Sequence, residues 1–328
     1  MNAFARSIVL ASVLALAAGM APAAGPPAGP STSAGPGGWP PLPPGTRTIL
    51  LLTGADLGHW EPRKCFNNFG GILYRLGLNE WLFDHEPGID WHWVSAGDVL
   101  SLTLENTAVR PPREIYEGLA RIGYDVVGVG YRDLQLLGPF AIRALTRDLP
   151  LHLVATNLRV LETGRPFLEE SAVLETASGR IGVLVLLPYR EDAAWVSPEY
   201  GTVTIEPPGR HLVPALRRLA SRAGRVVLVA QLDPMTIGRL LESLPPDVRP
   251  PDLVVGERGT YGQTDVRDVG GVPLLWVGGY GQYLGRAALD ARGKLLEVRG
   301  MLVRGTFPID PRTGRPVAPG AALPRRDH

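Results

Sequence analysis

The pattern that most restricts the fold is an alternation of short apolar runs with amphipathic segments between residues 47 and 306. Runs such as residues 47–53 (RTILLLT) are bounded by Gly or Pro, which is typical of buried strands. Segments such as residues 69–83 and 210–223 carry apolar side chains at helical spacing. We predict strands at residues 47–53, 89–95, 125–129, 151–155, 172–176, 180–187, 225–230, 252–255, 273–278, 284–290 and 294–302, and helices at residues 69–83, 112–122, 132–149, 210–223 and 235–244.

The order of these elements selects a fold class. The predicted strands and helices alternate up to about residue 155, and pairs of strands follow, including a predicted hairpin around residues 177–179. Alternation followed by strand pairs indicates a layered α/β or α+β fold with more than one sheet.

The two ends of the chain have a different composition. Residues 1–23 carry one early charge, an apolar run and the sequence Ala-Pro-Ala, which is typical of a secretory signal peptide. Residues 24–46 form a Pro/Gly-rich linker, in which 14 of the 21 residues from 25 to 45 are Gly or Pro. We predict that residues 307–328 are a Pro-rich disordered tail, and we expect one folded domain at residues 47–306 and no transmembrane segment after signal cleavage.

Charge and cysteine content exclude several classes of protein. The chain has 33 basic and 32 acidic side chains, a net charge of +1, which argues against a nucleic acid partner. It has one cysteine, so it cannot form an internal disulfide bond even in an oxidising compartment. We expect an exported protein of the periplasm or the extracellular space that is stabilised by its core.

Several loop motifs follow one another along the body. Residues 53–62 (TGADLGHWEP) resemble TNDLHGHLEP, residues 95–99 (SAGDV) resemble DAGDV, and residues 271–290 (GVPLLWVGGYGQYLGRAALD) resemble GVPVVQAGAYGKYLGRLDLTLD. In these motifs the chain is similar to the catalytic domain of bacterial periplasmic 5′-nucleotidases and UDP-sugar hydrolases, which are calcineurin-like metallophosphoesterases. The resemblance implies a four-layer α-β-β-α sandwich, in which two sheets lie between helices, as a single domain without the nucleotidase C-terminal domain.

The resemblance does not extend to the metal ligands of that family, most of which are replaced in this chain. Such enzymes hold two metal ions with a bridging carboxylate and a ring of His, Asp and Asn side chains, which polarise the phosphate and activate a water. One of the seven expected ligands is retained, Asp98 at the bridging position. The other ligand positions and the position of the catalytic His hold Ala55, Leu57, Tyr131, Arg132, Gln231, Arg258 and Thr260.

We therefore predict a cation-rich, hydrogen-bonding surface where the metals would lie, with Asp98 as a vestigial metal position. The candidate ligand-binding residues are Tyr131, Arg132, Gln231 and Arg258. Arg presents a planar fork of donors to phosphate or carboxylate, so this surface could bind an anion. Alternatively, the arginines pair with Asp98 and Glu257 and fill the old site. A rearranged single-metal site would need neighbours of the lost positions, which are Asp56, His59, Asp133, Asp233 and Glu257.

These observations favour a catalytically degenerate protein that binds an anionic small molecule or a cell-envelope protein, without a cofactor. One alternative is an active phosphoric-ester hydrolase with a single Mn, Zn or Fe ion. Another is a thiol-dependent function at Cys65, whose loop EPRKCFNNFGG resembles that of divergent UshA-like (seleno)proteins. The cations Arg63 and Lys64 would favour a reactive thiolate there, whereas a half-buried Cys65 would be inert.

Overall fold

The computed structural model describes residues 39–60, 71–101, 110–257 and 264–303. The helices in this part are α1 (Ile72–His85), α2 (Pro112–Ile122), α3 (Tyr131–Thr146), α4 (Pro208–Ala220) and α5 (Pro234–Glu242). The strands are β1 (Thr46–Thr53), β2 (Asp90–Ser95), β3 (Tyr124–Gly128), β4 (His152–Val154), β5 (Leu158–Val160), β6 (Ser171–Thr176), β7 (Gly179–Leu186), β8 (Ala194–Ser197), β9 (Gly201–Ile205), β10 (Arg225–Ala230), β11 (Leu253–Glu257), β12 (Asp265–Val269), β13 (Val272–Val277), β14 (Tyr283–Asp290) and β15 (Leu295–Leu302).

Two six-stranded sheets form the centre of the molecule. The first has the order β15-β14-β1-β2-β3-β4 and the second the order β12-β13-β11-β10-β7-β6. The inner strands of both sheets are parallel, while β14, β15, β12 and β6 are antiparallel to their neighbours. The carboxyl ends of the parallel strands therefore lie at one edge of each sheet, where ligand sites of α/β sheets are found.

The alternation of side chains along each strand explains the layers. On β1, Ile49 and Leu51 pack in one core with α1, α2 and α3, whereas Leu50 and Leu52 point into the core between the two sheets. A third core joins the outer face of the second sheet to α4 and α5. Because a strand points successive side chains to opposite faces, each sheet is apolar on both faces and is covered twice. The predicted four-layer α-β-β-α sandwich is confirmed.

The sequence reading missed a small third sheet and one edge strand. β5, β9 and β8 form a three-stranded sheet, and β12 pairs with β13 at the edge of the second sheet. These strands are three to five residues long, and β8 and β12 are largely exposed. Strands of this kind have weak apolar signals because pairing with distant strands stabilises them.

The chain from residue 39 to 45 packs on the body, although we placed it in the linker. The Trp39 side chain is 7% exposed and lies 6.1 Å from the Trp91 ring. The buried Arg286 guanidinium donates to the carbonyl groups of Pro40 and Pro41 and lies over the Trp39 ring. The predicted signal peptide, residues 24–38 of the linker and the predicted tail lie outside the described residues. None of the described helices is long and apolar enough to cross a membrane.

Candidate functional site

The loops after β1 and β2 have a tightly bent backbone. Asp98 and Leu57 both adopt a left-handed conformation with φ 51°, which is unusual for residues other than glycine. The Leu57 N–H donates to the carbonyl of Asp98 (3.1 Å), and the next N–H, of Gly58, donates to that of Val99 (2.7 Å). The two loops thus hold each other, and Asp98 is buried at their junction, with its side chain 8% exposed.

Arg132 contacts Asp98 with both its backbone and its side chain. Its backbone N–H donates to Oδ1 of Asp98 (2.8 Å), and its guanidinium Nε lies 3.6 Å from Oδ2. Gly130 allows this approach, since a Cβ atom there would lie 2.0 Å from Asp98 Oδ1. The N-terminus of α3 therefore places a fixed cation and a backbone donor on the carboxylate at the predicted bridging position.

Gln231 connects the ends of three strands. Its Oε1 accepts from the backbone N–H of Tyr131 (3.0 Å), and its Nε2 donates to the carbonyl of Ala96 (2.7 Å). Gly97 lies against this amide, because a Cβ atom at position 97 would be 2.5 Å from Nε2. The side chain that replaces a family His ligand thus ties β10 to the loops after β2 and β3.

Three carboxyl groups lie together at this point, of which Asp98 and Asp133 are buried and Glu257 is half-buried. Glu257, at the end of β11, is hydrogen-bonded to Asp98, and burial together with the Asp98 charge raises the pKa of Glu257 well above its usual value. Burial and the same charge raise the pKa of Asp133 to about 8. Burial also raises the pKa of Asp98, against the opposing effect of Arg132. The raised pKa of Glu257 favours a protonated carboxyl, which can donate a hydrogen bond to Asp98.

A pocket of about 510 Å³ opens above these groups. The structure brings four of the predicted site residues to its wall, Asp98, Tyr131, Arg132 and Gln231, whereas Arg258 and Cys65 lie outside the described residues. The remaining lining residues are Gln135, Pro188, Leu232, Asp233, Pro234, Glu257, Arg267 and Trp276.

The five neighbours proposed as replacement ligands lie in different environments. Asp56 is fully buried and paired with Arg75 (2.8 Å), and His59 packs edge-on against Tyr280. Asp233 caps α5 by accepting from the backbone N–H of Thr236 (3.0 Å). The remaining two, Asp133 and Glu257, lie beside Asp98.

Asp133 has both carboxylate oxygens engaged by the protein. Oδ1 accepts from the backbone N–H of Leu100 and Oδ2 from that of Gly130, both at 2.9 Å. Within the described ranges, no group of three His, Cys, Asp or Glu side chains has an arrangement that could hold a metal ion. The side chains near Asp98 that could ligate a metal are thus already hydrogen-bonded to other groups of the protein.

Sequence reasoning missed the far wall of the pocket. Arg267 lies there on β12, which we did not predict, and its Nε is 2.6 Å from Asp265. Trp276 lies on a predicted strand, but its position in the pocket depends on the pairing of β13 with β12. No sequence signal identifies either residue, because the pocket forms between segments that are distant in the chain.

Known structures share this architecture. No family model and no curated protein matches the chain. A 5′-nucleotidase precursor from Thermus thermophilus matches with 19% identity and a TM-score of 0.61, over 82% of this chain and 56% of that one. The sulfate thiohydrolase SoxB from Thermus thermophilus matches with 15% identity and a TM-score of 0.65, over 80% of this chain and 58% of that one. The calcineurin-like phosphoesterase YfkN from Bacillus subtilis matches with 13% identity and a TM-score of 0.58, over 80% and 91%.

These similarities show the fold. The described residues have the fold of the 5′-nucleotidase-like metallophosphoesterase catalytic domain, as the loop motifs predicted. The chain spans little more than half the length of the first two of these structures.

Proposed function

We propose that this protein of 5′-nucleotidase-like fold does not use a dimetal centre and that it binds a small anionic molecule in the pocket above Asp98. The proposal depends on one observation, which is that Arg132 and Glu257 both contact the Asp98 carboxylate. In the family mechanism the bridging carboxylate binds metal cations. Here a guanidinium already lies 3.6 Å from Asp98, and a like-charged metal ion close to it would be repelled.

The residues at the other family ligand positions support the same conclusion. Ala55 and Leu57 have no metal-binding atom, and both ends of the Gln231 amide are bonded to backbone groups. The residues that the structure describes therefore do not fit a dimetal site, and we derive no catalytic step through metal ions.

Two arginines make an anion the expected ligand. The side chains of Arg132 and Arg267 line the pocket and are 32% and 52% exposed, so both can reach a ligand. Of the pocket carboxyl groups, Glu257 opposes an anion least because its pKa is raised, whereas the helix cap Asp233 has a lowered pKa and keeps its negative charge. A guanidinium binds a carboxylate or a phosphate through paired hydrogen bonds.

Metal content and turnover test the loss of the dimetal centre. We expect the purified protein to hold less than one equivalent of Mn, Zn or Fe and to release no phosphate from a generic phosphate ester when these metals are added. Stoichiometric metal together with turnover that Asp98→Ala abolishes would overturn the proposal and support the single-metal hydrolase.

Calorimetric titration tests the binding role separately. We expect saturable binding of inorganic phosphate or of a small dicarboxylate, weakened about tenfold in Arg267→Ala through loss of a charged hydrogen bond. Arg121→Ala, an exposed arginine on α2, is the matched control and should bind as the unaltered protein does. Binding that Arg132→Ala and Arg267→Ala leave unchanged would show that this pocket is not the anion site.

Export and the role of Cys65 are further proposals that rest on the sequence alone. We propose that residues 1–23 direct export to the periplasm or beyond, which N-terminal sequencing of the mature protein would test. A reactive thiolate at Cys65 predicts rapid alkylation near neutral pH, and slow labelling of the folded protein would argue against it.

A further inference from the structure

A second cavity, of about 220 Å³, lies between the two sheets at the end of the molecule opposite Asp98. Its wall includes Arg225, the first residue of β10, and Gly293, in the turn between β14 and β15. The strands that begin here end at the other pocket, so the two cavities lie at opposite ends of the sandwich. The second cavity has no part in the function proposed above.

The interior of this cavity is apolar. Its wall is formed by side chains from five strands of both sheets, which are Leu50, Val227, Leu253, Ala287, Leu289 and Leu295. Protein interiors are close-packed and contain few voids larger than a water molecule. An apolar cavity of about 150 Å³ is large enough to hold benzene. The second cavity is therefore large enough for a single ring or a short alkyl chain.

The mouth of the cavity carries an excess of positive charge. Asp252 is shared by Arg225 (2.9 Å) and Arg249 (2.5 Å). Lys294 also lines the cavity and is exposed, and its ammonium group forms no ion pair with another described residue. Asp290 is bonded to the backbone N–H groups of Arg292 and Lys294. Arg225 and Arg249 thus share one carboxylate, and Lys294 adds a further positive charge at the mouth.

The backbone around the mouth is held in place. Arg225 Nε donates to the carbonyl of Gly293 (2.6 Å), and Gly293 has φ 72°. A Cβ atom at position 293 would lie 2.9 Å from the carbonyl of Ser178, in the turn between β6 and β7. Because two hairpin turns and β10 meet at this point, the opening has a defined shape.

We infer that this cavity is a binding site for a small amphipathic anion, with a short alkyl or aromatic body between the sheets and a carboxylate at the mouth. The apolar wall selects the body of the ligand, and Lys294 with the Arg225–Asp252–Arg249 cluster selects its negative end. A neutral ligand of the same shape gains the apolar contacts but not the charge pairing, and a cationic ligand is repelled.

Titration of hexanoate into the full-length protein, followed by isothermal calorimetry, tests this site. We expect saturable binding at this cavity, which Arg267→Ala in the Asp98 pocket leaves unchanged. Lys294→Glu should weaken binding about tenfold, because it replaces an attractive charge with a repulsive one. Ala287→Leu should abolish binding by filling the cavity. Hexanamide, which is neutral, should bind about tenfold more weakly than hexanoate.

Two controls keep the outcome interpretable. Arg121→Glu reverses an exposed charge on α2, away from the cavity, and should leave hexanoate binding unchanged. Ala287 is fully buried, so circular dichroism must show that Ala287→Leu is folded; if it is not, Lys294→Glu, at an exposed position, decides the question. The absence of saturable binding, equal binding of hexanamide and hexanoate, or unchanged binding in Lys294→Glu would overturn the inference. Loss of anion binding at the Asp98 pocket would not affect it.

Discussion

The two ends of the sandwich differ in how they hold their polar groups. At the carboxyl ends of the strands, Leu57, Asp98 and Tyr280 have positive φ, and these are the three non-glycine residues with that conformation in the described part of the chain. At the amino ends, His92 lies between Asp90 and Asp125, and the mouth of the second cavity carries the exposed Lys294 beside the Arg225–Asp252–Arg249 cluster.

The carboxyl ends also hold carboxyl groups with raised pKa values, which are Asp56, Asp98, Asp133 and Glu257. Unfavourable backbone conformations and perturbed carboxyl groups accumulate at functional sites, where the surrounding structure must stabilise them. Among the residues that the structure describes, the amino ends of the same sheets fold without non-glycine residues of positive φ and without such carboxyl groups, so the sandwich does not need these features for its stability. The loops after β1 and β2 therefore have the character of a functional site, although the family metal ligands are missing from them.

The largest expected effect tests whether Asp56 belongs to the structural framework of this end. Asp56→Ala leaves the fully buried Arg75 without its carboxylate partner, and we expect the free energy of unfolding to fall by about 3–5 kcal/mol. Denaturant unfolding measures the change. Asp247→Ala, which breaks the exposed pair with Arg217, is the control and should leave stability within experimental error. A small effect of Asp56→Ala would show that Asp56 is free to serve as a ligand.

The next effect tests the contact between the loops. In Gly130→Ala the added Cβ atom would lie 2.0 Å from Asp98 Oδ1 and 2.1 Å from the Asp98 backbone nitrogen. Since one of these atoms must move, we expect a loss of about 1–3 kcal/mol in denaturant unfolding. Gly88→Ala is the control because its Cβ atom would meet nothing within 4 Å. Equal stability of the two variants would contradict the close contact of Asp98 with the start of α3.

A smaller effect is expected at the amino ends of the strands, where the protonation of His92 makes the free energy of unfolding depend on pH. Burial lowers the pKa of His92, but hydrogen bonds and charges from Asp125 and Asp90 outweigh burial and raise it above 6.5. The folded protein thus holds this proton more tightly than the unfolded chain does. The stabilisation is complete below pH 6.5 and is lost as the pH rises through the folded pKa. It amounts to about 1.4 kcal/mol for each unit by which the pKa is raised.

Urea unfolding of the unaltered protein and of His92→Gln, at pH 5.5 and at pH 9, isolates this contribution. Asp133 also binds its proton more tightly in the folded state, so both proteins should lose stability with rising pH. The unaltered protein should lose more. An identical loss in both would show that His92 does not carry a stabilising proton.

The smallest expected effect tests the protonation of Glu257. Because the raised pKa of Glu257 favours a protonated carboxyl that donates to Asp98, Glu257→Gln replaces it with a neutral donor of similar shape. We expect the free energy of unfolding near pH 7 to change by less than about 0.5 kcal/mol. Asp98→Asn should have a larger effect because it removes the charge that faces Arg132. A large loss of stability in Glu257→Gln would mean that Glu257 is ionised.

The sequence predicted the larger elements well. The predicted strand at residues 225–230 and the predicted helix at residues 112–122 coincide with β10 and α2. Both have strong local signals, an apolar run in one and a Pro at the start with an apolar stripe in the other. The helix predicted at residues 132–149 is α3, which ends three residues earlier and is kinked at Gly138, next to Pro139.

The candidate site could be predicted only in part. Motif order placed Asp98, Tyr131, Arg132 and Gln231 at one pocket, and the structure brings them together. The same reasoning could not distinguish Asp233, which caps a helix, from Glu257, which is bonded to Asp98. Asp233 follows a strand and Glu257 ends one, and each is close in sequence to a position where the family has a metal ligand. Their roles differ because their side chains point in different directions.

The sequence patterns alone determined a layered fold with more than one sheet, and the resemblance of the loop motifs implied the four layers and the side chains at the old ligand positions. Apolar periodicity selects the faces that each strand and helix buries, and this property is local. The tertiary structure alone decided the partners: Arg75 with Asp56, Arg132 with Asp98 and the charges around the second cavity. These pairs join segments that are distant in the chain, and the pKa values of buried groups depend on every neighbour that folding brings to them.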